Sequence, residues 1–550
     1  WMRASHFPQG GEAGWKQSCD RETLAVRAGV GISDASTLGK IDLSGKDAAK
    51  FLDLIYTGKM STLGVGRARY GLMLREDGLL MDDGTVSRLG ESHYLITTTT
   101  AAAGEAMAHM EFCAQALWPE LDVRLASVTD QWAQITVAGP ASREVLKRVV
   151  DADISEDAMP FLAVREVTLH SGLAARLFRI SFSGELAFEL AVPARHGEAV
   201  ADAIVEAGQP FGITPYGLEA LNVLRIEKGF ITHAEIDGRT TPGDLGLGKM
   251  VSGTKDDFIG RVMLGREGLQ RADREQLVGL VPLNPAQRVL AGGHLLAPGA
   301  VPSMANDQGH VTSACWSPHL NSTIALAMLK RGRERHGEVL SVWDPLRGIE
   351  TGVRVCAPVF LDAPEADSVA AVRDYPPVIP VDGGTAGLLE GLTVSASDRV
   401  TLTQLPDAAV CLVAGPVARD AAVRRAAKAG DGTLRPVQPG QALAVGEAGE
   451  SFASLAARLG ASADLSLCDL SDARVRFSLS GPEACEIIAT QSAIDTDAKL
   501  FKAGASAPTL FGHVPVQLTR LGRDTFEVMA FSTYARDLAE SLSRLIRLLG

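Results

Sequence analysis

The sequence predicts an α+β chain made of two copies of one domain, the first copy ending in a small β-barrel module. Three observations carry this. The first is internal similarity: Val128 to Lys147 reads VTDQWAQITVAGPASREVLK, and Leu470 to Thr490 reads LSDARVRFSLSGPEACEIIAT. Asp130 matches Asp472, Gly139-Pro140 matches Gly481-Pro482, and each turn leads into an amphipathic helix. Phe188-Glu189-Leu190 recurs as Phe526-Glu527-Val528, with Gly184 and Gly522 four residues before each Phe. A period of about 340 residues is far too long for a solenoid, so the second half is a shortened copy of the first. The second observation is the stretch 362–384 (DAPEADSVAAVRDYPPVIPVDGG), which has linker composition and no helical or strand period. The third is the run from Gly337 to Phe360, whose short strands VLSVWD and GVRVCAPVF suit a compact barrel. The expected domains are 1–365 with a barrel at about 275–362, a linker at 366–384, and 385–550.

Composition narrows the function. A chain of 550 residues has ample length to bury a core in more than one domain. Lys plus Arg is 53 against 66 Asp plus Glu, a net charge of −13, and no basic run interleaved with aromatics points to nucleic acid. No apolar stretch approaches the roughly 20 residues of a bilayer span, and the N-terminus lacks the apolar core of a signal peptide. The seven cysteines are scattered without a CxxC, which suits a reducing, cytoplasmic setting and disfavours zinc. Position 1 is Trp, so the chain is read as a cut or processed piece, or one with an unusual start. No Gly-x-Gly-x-x-Gly follows a strand. Gly243 to Met250 (GDLGLGKM) reads as a loop, because Met250 replaces the hydroxyl that would hold magnesium and no strand leads into it.

The most informative segment is Arg67 to Gly84, RARYGLMLREDGLLMDDG. An alternating run (Tyr70, Leu72, Leu74) meets a Glu-Asp-Gly turn at 76–78, and a second run delivers Asp82 and Asp83. This is a β-hairpin pattern. Neighbours on a strand point to opposite faces, so one carboxylate is expected to face inward, where it needs a partner, a ligand or a proton. The plainer alternative is a turn-capping Asp beside a solvated one.

This hairpin resembles the folate-site hairpin of the aminomethyltransferase family, the T-protein of glycine cleavage and its relatives. The resemblance runs in order over roughly residues 6–362. Gly31 to Gly45 (GISDASTLGKIDLSG), Ser181 to Glu189 (SFSGELAFE) and Val311 to Leu320 (VTSACWSPHL) match family motifs. Tyr94 to Thr100 (YLITTTT), Leu224 to Phe230 (LRIEKGF) and Asp244 to Gly248 (DLGLG) resemble the branch formed by the C-terminal half of heterotetrameric sarcosine oxidase alpha subunits. In the second copy, TLFGHVP (509–515) and DTFEV (524–528) resemble the gamma subunit.

The resemblance implies tetrahydrofolate as the bound cofactor. Glu189 matches the family's pterin-binding Glu, whose carboxylate accepts the N–H donors of the ring edge; read alone, its place between Phe188 and Leu190 suits either face of the strand. Asp83 matches the Asp beside the folate amines, a catalytic position where a carboxylate stabilises developing positive charge and accepts a proton. Tyr70 matches a lining tyrosine and Thr98 occupies the place of an Asn. Phe182 stands where transferases have Tyr, and Leu221 where the T-protein has an Arg, departures that weaken glycine-cleavage activity. Arg225 is expected to be structural, as is Glu527, because the second copy has no counterpart of the hairpin. The resemblance implies a subunit of an N-methyl amine oxidase or dehydrogenase complex. A flavin-containing beta-type subunit would oxidise the amine, flavin and NAD would reside in partner subunits or a dinucleotide-binding half absent from this sequence, and this chain would trap the released one-carbon unit as 5,10-methylenetetrahydrofolate. The alternatives are a stand-alone folate aminomethyltransferase or demethylase, and a scaffold with a vestigial site. No metal, nucleic acid or membrane partner is implied.

Overall fold

The structure is a computed structural model that describes residues 3–361, 376–380, 399–416, 419–460 and 465–549. The linker expected at 366–384 lies outside the described residues apart from 376–380. Helices and sheets mix throughout, in four open sheets and one closed barrel.

The first copy holds two sheets. One runs in the order Thr214–Pro215, Gly31–Asp34, Trp132–Ala138, Ala187–Pro193, Ala174–Phe178 and Val164–Thr168. Phe188, Leu190 and Val192 turn to one side of it and bury against helix Gly197–Gly208 and its neighbours. The other runs Arg67–Leu74, Leu80–Gly90, His93–Thr98, Gly39–Ser44 and Arg124–Ser127. Its outer face (Ile41, Leu43, Val86, Tyr94, Ile96) packs on helices Ala48–Ile55 and Ala103–Phe112. Alternating burial of this kind is what period-2 patterning requires. The closed barrel follows, formed by Glu275–Pro282, Ser322–Lys330, Gly309–Ser317, His294–Leu296, Val339–Asp344 and Ile349–Cys356.

Among the described residues the second copy repeats the plan with one strand fewer in each sheet. Its first sheet runs Thr401–Gln404, Arg474–Ser480, Thr525–Phe531, Val514–Arg520, Ser506–Phe511, the same order as its counterpart. Register agrees as well. Ala138, just before the Gly-Pro turn, pairs with Gly31 and Ala187, and Ser480 pairs with Thr401 and Thr525. Thr136 therefore faces Glu189 as Ser478 faces Glu527. The second sheet runs Arg435–Gln438, Gln441–Ala448, Ala408–Ala414, Ser466–Asp469, with no equivalent of strand Arg67–Leu74 among the described residues. The strand that carries Tyr70, like Thr214–Pro215 in the first sheet, thus has no described counterpart in the second copy.

The copies pack against each other with near two-fold reciprocity. Leu95, Ala126 and Val128 share one buried cluster with Leu412, Leu443 and Leu470. Thr533 donates to Asp130 (2.8 Å), while Arg195 pairs with Asp472. Thr533 and Arg195 each lie two residues past the end of matching strands, so one contact is repeated with the partners exchanged, as in an isologous interface.

Candidate functional site

The hairpin forms as its pattern requires. Arg75 N–H donates to the Leu79 carbonyl (2.9 Å), and Gly78 takes φ +85°, where a Cβ would come within 2.9 Å of Leu264 N. Leu72 then pairs with Asp83 and Met73 with Asp82. Both carboxylates are buried, Asp82 fully and Asp83 with 8% exposure, so neither is the solvated residue of the plainer reading. They point to opposite faces of the sheet. Asp82 joins the helix-covered side, where Thr99 Oγ1 donates to it at 2.8 Å and His233 Nε2 lies 3.1 Å away. Asp83 lies on the inner side, where the Tyr70 hydroxyl donates to its Oδ2 at 2.6 Å. Its Oδ1 is buried and has no hydrogen-bond partner. Burial raises the Asp83 carboxyl to about 6, against the lowering effect of the Tyr70 hydrogen bond.

Glu189 faces this sheet from the other side of the first copy. Phe188 and Leu190 enter the core, so alternation turns Glu189 the opposite way, with Ala191 and Phe178, which pack in the same cluster as Ala68 and Leu95 of the hairpin sheet. Its one described hydrogen bond comes from Gln134 Nε2. Burial raises its carboxyl, with Gln134, Lys40 and Arg3 opposing. Lys40 pairs with Thr97, which pairs with Thr85, placing it on the same face as Asp83. Its ammonium donates to the carbonyls of Ser36 (2.9 Å) and Leu38 (3.0 Å), and burial depresses it to about 8. Two clusters, Tyr70–Asp83 and Gln134–Glu189–Lys40, thus lie on the inner sides of the two sheets, and Tyr70 and Leu72 pack with Leu277 and Ile324 of the barrel. No described hydrogen bond or ion pair joins Asp83 to Glu189 directly.

The remaining expected residues are more scattered. Thr98 pairs with Gly84 and Gly39 on the helix-covered face, and its hydroxyl donates to the Thr99 carbonyl at 3.1 Å. The structure does not bring it to Asp83, because one register step reverses the face; Thr97 is the residue on Asp83's side. Phe182 is 38% exposed and stacks on Phe230 at 6.0 Å between centroids. Leu221 packs with Cys19 and Tyr216. Arg225 is buried and held by Glu235 (3.2 Å) and Ser313 (2.7 Å), a structural set. Sequence reasoning missed Gln134, Lys40 and His233. Lys40 alone left a signal, as a cation on a strand whose neighbours alternate inward. A separate depression of about 320 Å³ at the barrel is lined by Arg239, Arg271 and Arg274. Each of these already has a carboxylate partner, and neither Asp83 nor Glu189 lines it.

Comparison with known proteins bears on the fold and the family. Residues 1–255 match the family described as the GCVT N-terminal domain, and residues 275–362 the glycine cleavage T-protein C-terminal barrel domain. The aminomethyltransferase of Streptomyces coelicolor is 33% identical over 329 residues, covering 57% of this chain and 83% of that protein. The chain belongs to the aminomethyltransferase, or glycine cleavage T-protein, family. The crystal structure of glycine cleavage system aminomethyltransferase T from Bartonella henselae shares the fold, with a TM-score of 0.55 and 24% identity over 64% of this chain and 93% of that one. Within the family, sarcosine oxidase subunit alpha of Rhizobium meliloti is 58% identical over 363 residues, 66% of this chain and 37% of that protein. The chain thus spans little more than a third of the length of such relatives (37–38%). The second copy lies beyond both family matches. Among the described residues no helix is long and apolar enough to cross a membrane, and no His, Cys, Asp and Glu group could hold a metal ion.

Proposed function

We propose that this chain is part of a sarcosine oxidase-like N-methyl amine oxidase or dehydrogenase complex. It binds tetrahydrofolate between the two sheets of the first copy and traps there, as 5,10-methylenetetrahydrofolate, the one-carbon unit released by flavin-dependent demethylation in a partner. The second copy plays the part of a gamma-type subunit. The observation that carries this reading is Asp83: a buried carboxylate held on one oxygen by Tyr70 and unpartnered on the other, in a chain that is 58% identical to a sarcosine oxidase alpha subunit over 363 residues.

The residues present suit a folate. A buried polar atom without a partner is costly, and a ligand N–H or N–H⁺ reaching Asp83 Oδ1 would remove that cost. Glu189, with a single hydrogen bond from Gln134, retains acceptor capacity for a pterin edge. Tetrahydrofolate, when bound, supplies the amines that take up the one-carbon unit. Tyr70 fixes the orientation of Asp83, whose carboxylate stabilises positive charge and accepts a proton on its free oxygen. Burial by Leu72 and its neighbours keeps water from screening that charge.

Asp83→Asn preserves the shape and removes the charge. With a flavin-bearing partner present, 5,10-methylenetetrahydrofolate formation is expected to slow roughly 100-fold or more while folate affinity holds within a few-fold, and free formaldehyde is released instead. In the unmodified chain the same rate is expected to fall as pH drops through about 6, where Asp83 takes up its proton. A wild-type rate in the variant would leave Asp83 without a chemical role.

A further inference from the structure

Asp82 and Asp83 are consecutive and both buried. Two like charges on neighbouring residues repel even when they point to opposite faces of a strand, and, besides burial, the Asp82 charge raises the Asp83 carboxyl while that of His233 lowers it. Among the described residues no arginine or lysine pairs with either carboxylate. Tyr70 bonds Asp83, and Thr99 bonds Asp82 through both its amide (3.3 Å) and its hydroxyl (2.8 Å), but these are neutral. The buried Tyr56 hydroxyl, also without a partner, feels both carboxylates and is neutral too.

The remaining partner is His233. Its Nε2 lies 3.1 Å from Asp82 Oδ1 and 3.0 Å from Thr99 Oγ1, so one ring nitrogen meets both groups. The titratable groups whose charge it feels are Asp82, Asp83 from the other face of the strand and, from helix Ala103–Phe112, Glu105, all acidic. The hydrogen bond that the imidazole donates to Asp82 raises it above its ordinary value. Its side chain is 37% exposed, so it exchanges protons with bulk water, which fully buried Asp82 cannot do directly.

We propose that His233 is a positioning residue of this site: its imidazolium, held by Asp82 and Thr99 on the outer face of the hairpin strand, supplies the positive charge that lets Asp83 stand as a carboxylate on the inner face. The inference rests on the folate reading for what Asp83 does, but the linkage itself is a property of the free chain. Asp82 is the intermediary. Paired with His233, it presents little net charge to its neighbour; unpaired, it repels a second carboxylate. Asp83 then retains its proton at a pH where transfer requires it to be free.

The test is the titration of Asp83 in the full chain without folate, followed by NMR of carboxyl-¹³C-labelled aspartate, with Asp83→Asn assigning the signal. His233→Gln retains a hydrogen-bonding side chain and loses the charge, and it is expected to move the Asp83 midpoint up by about one pH unit. Asp82→Asn removes the repelling charge and is expected to move the midpoint down by a similar amount, so the two variants shift in opposite directions. His233→Arg, a permanent cation, is expected to restore the low midpoint. An Asp83 midpoint that stays put in both His233→Gln and Asp82→Asn overturns the proposal, as does a shift of both in the same direction. With 5-formyltetrahydrofolate as the probe, His233→Gln at pH 8 should bind within about twofold of the unmodified chain, since the residue touches no folate. If the midpoints move as expected but the probe binds no form of the chain, the folate reading fails and the linkage stands. If the probe binds and the midpoints do not move, the linkage alone fails.

Discussion

In the first copy Glu189 lies opposite Thr136 on the ladder and takes its hydrogen bond from Gln134; in the second, Glu527 lies opposite Ser478 and meets two arginines. Arg476 occupies the place of Gln134, two residues before the matched Thr136 and Ser478, and lies 3.6 Å from Glu527. Arg435 approaches to 2.8 Å and is itself held by Asp431 at 2.7 and 2.9 Å. Following the ladders inward from Asp130 and Asp472, Arg435 stands where the first copy has Ser87, whose buried hydroxyl has no partner. The same carboxylate on the same strand is therefore left available in one copy and neutralised from within in the other. What distinguishes a carboxylate with spare acceptor capacity from a structural ion pair here is the neighbour at two positions, not the carboxylate.

The largest effect is expected where the internal pair is broken. Arg435 is fully buried and Glu527 is 2% exposed. Arg435→Met would strand Glu527 with only the longer Arg476 contact, and removing one partner of a buried pair costs about 3–5 kcal/mol. All six tryptophans lie within residues 1–343, so their fluorescence follows the first copy, while hydrogen exchange along Thr525–Phe531 follows the second. The loss is expected in the exchange and not in the fluorescence midpoint. Equal loss in both would mean that the reciprocal interface couples the copies into one unfolding unit.

A smaller effect comes from carrying the neutralising residue across. Gln134→Arg places a guanidinium beside Glu189 as Arg476 lies beside Glu527, and it competes with ligand donors for the same oxygens. Affinity for 5-formyltetrahydrofolate is expected to fall about 10- to 100-fold, or about 1.4–2.7 kcal/mol, with the melting temperature retained. Unchanged affinity would show that Glu189 is not the anchor and would remove the contrast between the copies.

Much of this contrast was legible in the sequence, but unevenly. The duplication was visible because the Gly-Pro turns and Phe-Glu pairs are local patterns with fixed spacing, and the hairpin because Glu76-Asp77-Gly78 interrupts alternating runs. The pairing of Asp83 with Tyr70 follows from alternation once the turn is placed. The place of Thr98 was not legible in this way: it rests on the family resemblance, and alternation from Asp83 does not determine the register of the next strand, where Thr97 and not Thr98 shares Asp83's face. Gln134, Lys40, Arg435 and His233 act across sheets or from loops distant in sequence, and no local period marks a side chain whose partner lies 55 or 151 residues away.

The smallest effect separates the copies by sign. Burial raises the Glu189 carboxyl above its ordinary value, with the Gln134 hydrogen bond only partly offsetting it. A group whose folded-state value exceeds its unfolded one costs stability when ionised, and that cost fades as pH falls through the folded value toward the unfolded one near 4.3. Glu189→Gln removes the charge and should therefore stabilise the ligand-free first copy at pH 7.5, read as a rise in the tryptophan midpoint. The gain should shrink as pH is lowered, because the carboxyl then becomes neutral in the unmodified chain too. Folate binding should weaken in the same variant, since an amide offers one acceptor where the carboxylate offers two. Glu527→Gln is the same change at the same register, but Arg435 and Arg476 lose a partner there, so the second copy should become less stable at every pH where Glu527 is charged. If both variants lose stability, Glu189 is already satisfied within the protein, and the first copy holds no carboxylate in reserve for a ligand.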